Sequence, residues 1–91
     1  MYLNDDKTEK AVLAALENPK YRWRTVRNVA KEVGILPGTV LDVMARNSAI
    51  VIKSKVPSAS GDDLYTTRDH YLRTATVFEK LSAAFKNRLV D

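Results

Sequence analysis

Eight basic side chains lie between positions 20 and 55: Lys20, Arg22, Arg24, Arg27, Lys31, Arg46, Lys53 and Lys55. Two acids, Glu32 and Asp42, oppose them, which leaves this window at +6. The whole 91-residue chain carries +4, so the remainder sums to −2. Cations at this density bind phosphate, and such contacts supply affinity and register rather than base sequence. A solvated basic face without a partner has the same composition.

Catalytic chemistry finds little to work with. His70 is the only histidine and there is no cysteine, so the three or four ligands of a zinc site are not to hand. Asp69 is beside His70, but no serine is placed to complete a nucleophilic relay. A surface or capping role suits both residues at the start of a helix. Asp62 and Asp63 offer two carboxylates where calcium takes about six to eight oxygens, and they read as turn residues. Gly34, Gly38 and Gly61 each mark a turn or a helix boundary, not a phosphate loop. Neither an enzyme nor a cofactor is expected.

The elements that position the basic cluster centre on TVRNVAKEVGILPGTVLDVM, Thr25 to Met44. Val26, Val29, Ala30 and Val33 recur at helical spacing and predict one buried face. Gly34 stops that helix by entering the left-handed cap. Ile35 points back to the core, and Leu36-Pro37-Gly38 leads into a second helix buried through Val40, Val43 and Met44. Ala30 is small where two helices cross. The set Ala30, Gly34, Val40 and Val43 resembles the helix-turn-helix pattern of DNA-binding proteins.

Before this motif, a helix is expected from about Lys7 to Glu17. Asp6 would be its N-cap, Glu9 would complete a capping box, and Ala11, Val12, Ala15 and Leu16 form its apolar stripe. Asn18 and Pro19 end it. Tyr21 to Arg24 alternates aromatic and basic residues, which predicts a short strand with Tyr21 and Trp23 inward and Arg22 and Arg24 outward. An exposed Trp23 stacking on a base is the alternative. Thr25 sits where an N-cap belongs.

After the motif, Ile50, Ile52 and Val56 alternate with Val51, Lys53 and Lys55 as a strand would. PSASGDD reads as a loop, and LYTTR returns as a second strand. From near Thr67 to Val90 a long helix is expected. Tyr71, Ala75, Phe78, Ser82, Phe85 and Leu89 form one stripe, flanked by Leu72 and Leu81. Its apolar face suits pairing with a second copy or folding back on its own domain.

The order helix, strand, helix, helix, strand, loop, strand resembles the winged helix-turn-helix superfamily, over Asp6 to about Arg68. YRWRT and LYTTRDHY look like flanks of compact winged modules attached to larger bacterial or archaeal proteins. The expected class is mainly α with a small β-sheet (α+β). Residues 1–68 would form the winged domain, and 69–91 a terminal helix serving as a possible dimerisation element of the same domain.

The resemblance implies duplex DNA as partner and a role in transcription regulation or DNA targeting. The second motif helix would lie in the major groove. Its outward face is Gly38, Asp42, Ala45 and Ala49, flanked by Leu41, Thr39 and Arg46. Only Arg46 and Asn47 suit base edges there. The nucleic-acid candidates are therefore Arg22, Arg24, Thr25, Arg27, Lys31, Thr39, Asp42, Arg46, Asn47, Lys53 and Lys55, mostly as phosphate contacts. The dimer candidates are Tyr71, Leu72, Ala75, Phe78, Leu81, Phe85 and Leu89. The competing reading is a protein-interaction module that meets its partner through Leu41, Asp42, Ala45 and Ala49. RNA remains a third possibility.

No apolar run approaches the roughly 20 residues that span a bilayer, so no membrane association is expected. MYLNDDKTEK is too polar for a secretory signal. The absence of cysteine fits a reducing compartment, and a cytoplasmic location is expected.

Overall fold

The computed structural model describes residues 6–74. Three helices come first: α1 (Asp6–Leu16), α2 (Val26–Val33) and α3 (Pro37–Arg46). Strands β1 (Val51–Lys53) and β2 (Tyr65–Thr67) follow. A fourth helix, α4, is helical from 68 to the last described residue at 74. The result is a small α+β arrangement in which the two strands pair antiparallel, with Val51 opposite Thr67 and Lys53 opposite Tyr65. The rest of the long helix expected to reach Val90 lies outside the described residues.

Helical periodicity sets the core. Val12, Ala15 and Leu16 of α1, Val29 and Ala30 of α2, and Val40, Val43 and Met44 of α3 form one buried cluster. Each fully buried valine or leucine stabilises by about 1.5–3 kcal/mol. Val26, Val33, Ile35, Val51 and Tyr65 pack around its edge.

The helix ends follow local chemistry. The Thr25 hydroxyl accepts from the Asn28 N–H at 3.1 Å, which caps α2. Gly34 takes φ 84°, and its N–H donates to the Ala30 carbonyl at 2.8 Å, so α2 closes in the left-handed conformation. Pro37 opens α3, where its missing N–H costs nothing. Thr67 caps α4, its hydroxyl accepting from the His70 N–H at 3.1 Å.

Two local expectations are corrected. Tyr21 to Arg24 is not a continuous strand; it has bridge positions at Trp23 and Arg24, the latter antiparallel to Tyr65, and Arg24 turns inward while Tyr21 and Trp23 stay half-buried. In β1, Val51 packs on the core and Ile52 is half-buried, whereas Ile50 and Val56 outside the strand are exposed. Asp6 lies within α1 rather than before it, and Glu9 reaches α3 instead of its own helix end.

Candidate functional site

The cations of the central window have different fates. Arg24 is buried, and its Nη1 donates to the Ala15 carbonyl at 3.1 Å and to the Glu32 carboxylate. Its guanidinium lies 4.4 Å over the Tyr21 ring. The end of α1 supplies the reason: carbonyls there carry the negative end of the dipole, and the Ala15 carbonyl, which accepts from the Asn18 N–H at 3.2 Å, has a second lone pair for Arg24. Arg24 therefore clamps α1, α2 and, through backbone bonds to Tyr65 at 2.8 and 2.7 Å, the hairpin. Its side chain is turned inward and internally bonded rather than outward as expected. Arg22 is half-buried and stacks 4.5 Å over Tyr71.

Arg27 is exposed on α2, but its Nη2 donates to Asp62 of the β1–β2 connection at 2.7 Å. Arg46 and Asn47, the two expected base readers, converge on Glu9. Arg46 Nη2 lies 3.2 Å from one carboxylate oxygen and Asn47 Nδ2 3.1 Å from the other. Asn47 also donates to the Val43 carbonyl at 2.8 Å. The hydrogen bond from Asn47 and then that from Arg46 hold the Glu9 carboxyl below its ordinary range. Such pairs are exposed enough to exchange, yet a phosphate arriving at Arg27 or Arg46 meets a carboxylate already beside it.

Thr25 and Thr39 are buried, and Thr25 borders a cavity beside Val26 and Arg27. Of the eleven nucleic-acid candidates, Arg27, Lys31, Asp42, Arg46, Lys53 and Lys55 are exposed, and the three lysines have no carboxylate partner among the described residues. The structure thus brings Thr25, Arg27 and Lys53 to one surface and leaves the others outside it.

That surface lies between α3 and the hairpin. Two cavities of about 290 and 270 Å³ meet there, sharing Leu41 and Tyr65. Val26, Arg27, Pro37, Asp62 and Asp63 line the first. Met44, Ala45, Val51 and Lys53 line the second. Leu41 is 49% exposed and Leu36, at the start of α3, is 73% exposed. Glu9 and Asp62, read from the sequence as a capping-box residue and a turn residue, take part here with Tyr65; the two carboxylates sit 37 and 35 positions from the arginines they meet, and no local pattern announces such pairs.

The opposite end of the molecule answers the remaining expectations. His70 is 1% exposed, and its Nε2 lies 2.8 Å from the Tyr21 carbonyl, so it is a buried tie rather than a surface residue. Asp69 stays on the surface and pairs with Arg73 at 3.0 Å. Tyr71 packs at 50° on Trp23, ring centroids 5.6 Å apart, which places both in an intramolecular contact. Leu72 is exposed and, with Ile50, borders a third cavity of about 280 Å³. Ala75, Phe78, Leu81, Phe85 and Leu89 lie outside the described residues.

Among the described residues no group of three or more His, Asp or Glu side chains is placed to hold a metal ion. No helix of the described residues is long and apolar enough to cross a membrane. No family model, curated protein or solved structure matches the chain.

Proposed function

We propose that this chain is a winged-helix module that binds a protein segment on the surface between α3 and the β1–β2 hairpin, without catalytic chemistry of its own. One observation carries this reading: the centre of the surface is apolar, through Leu41, Ala45 and Tyr65, while Arg27 at its edge is paired with the chain's own Asp62. A patch with an apolar middle and a mixed-charge rim has the anatomy of a protein interface. A phosphate backbone favours uniform positive charge instead. The test is affinity capture from the source cell with mass-spectrometric identification, run in parallel on the wild type and Ala45→Arg. A named partner held by the wild type and lost by the variant supports the reading, and equal retention refutes it.

A second reading keeps a specific observation. Lys31, Lys53 and Lys55 are exposed without carboxylate partners among the described residues, as weak backbone contacts to duplex DNA require. If three lysines bind phosphate, the slope of log K against log salt is about −2.7. An anisotropy titration against random duplex at low salt separates the readings. Saturable binding with that slope favours DNA, and no binding favours the protein partner.

A further inference from the structure

The surface between α3 and the hairpin is electrically polar along its length. At the end nearest α2, Asp62 and Asp63 line the rim, and Arg27 is engaged by Asp62 at 2.7 Å. That leaves one carboxylate, Asp63, with no cationic partner among the described residues. At the other end the charged rim residue is Lys53, also without a partner there. Between them lies the apolar floor of Leu41 and Tyr65, common to both cavities. The two cavities, about 290 and 270 Å³, lie at the lower bound of about 300 Å³ for pockets that enclose small molecules. Each is of a size to receive one side chain of a larger ligand.

Resting on the protein-binding reading, we infer that the occupant is a peptide segment with an apolar anchor, a lysine or arginine on its Asp63 side, and an aspartate or glutamate on its Lys53 side. The anchor covers Leu41 and removes the largest exposed apolar side chain of this groove from water. The flanking charges fix the direction in which the segment lies, since the reversed segment sets like charges against each other at both ends. A nucleic acid fails this pattern because its charge is of one sign throughout.

The probe is a displayed library of random peptides about twelve residues long, panned on the whole chain. Enriched peptides are then titrated against the wild type, Leu41→Glu, and the double reversal Asp63→Lys with Lys53→Glu. Circular dichroism melting checks each variant, with Ala45→Arg standing in should Leu41→Glu unfold. The expected result is an apolar residue flanked by base and acid, binding abolished by Leu41→Glu, and at least about tenfold weakening in the double reversal, which instead prefers peptides with the charges exchanged. Peptides that need Leu41 but ignore the double reversal overturn the charge order while leaving the protein-binding reading intact. A Leu41-dependent dimer of the wild type in sedimentation assigns the groove to a second copy and overturns the inference. If no enriched peptide depends on Leu41 or Ala45, both the inference and the reading beneath it fall.

Discussion

Two arginines three residues apart, Arg24 just before α2 and Arg27 in its first turn, have different fates. At Arg24 the guanidinium is turned into the molecule, where a carbonyl, a carboxylate and an aromatic ring surround it. At Arg27, three residues on, the guanidinium is on the surface and meets the hairpin connection through one exposed ion pair. The first arginine acts on stability and the second on the charge of a surface. A count of cations along the chain treats them alike; a desolvated, multiply bonded guanidinium and a solvated one differ in what they do.

The contrast is tested most severely at Arg24. Arg24→Ala leaves the Ala15 carbonyl without that donor and removes a buried stem, so urea unfolding should show a loss of about 2–4 kcal/mol. Binding of any groove ligand, measured below the melting transition, should change little. A near-neutral Arg24→Ala would remove the clamp from the account. Thr25→Ala, beside it, should cost about 1 kcal/mol through the lost α2 cap, read from the same denaturation curves. Gly34→Ala should cost a similar amount, about 1–2 kcal/mol, because alanine resists the left-handed conformation observed there.

These caps and the core were legible because their causes are local. Thr25 and Gly34 sit at either end of an apolar period, and Val12, Leu16, Val29, Val40 and Val43 repeat at helical intervals. Thr67 was legible for the same reason. The binding surface was not, because its character is decided by pairs distant along the chain. Arg46 reads as a base contact until Glu9 is folded against it, and Arg24 reads as an outward strand residue until the end of α1 arrives beneath it.

On the surface side the expected stability effects are small and the binding effects large. Leu41→Glu replaces a half-exposed side chain and should move stability by no more than about 0.5 kcal/mol, measured by thermal melting, while abolishing ligand binding. The smallest effect is expected at Glu9. Its carboxyl titrates below the ordinary range when folded, so its stabilising contribution is present above the unfolded value of 4.5 and fades as pH falls through the lower folded value. Urea midpoints taken from neutral pH into this acid window should fall for the wild type, and Glu9→Gln should flatten that part of the curve. An unchanged slope in the variant would assign the acid sensitivity elsewhere.

The link from Glu9 to Arg46 and Asn47 has a consequence for selectivity. A carboxylate tethered to the same fold is present at high effective concentration and never diffuses away. It acts as an internal decoy for the two side chains best suited to grip an anion. Loose polyanions must compete with it at every encounter, and only a ligand offering more than charge displaces it. In a chain of net +4, this corner of the surface is thereby partly shielded from polyanions.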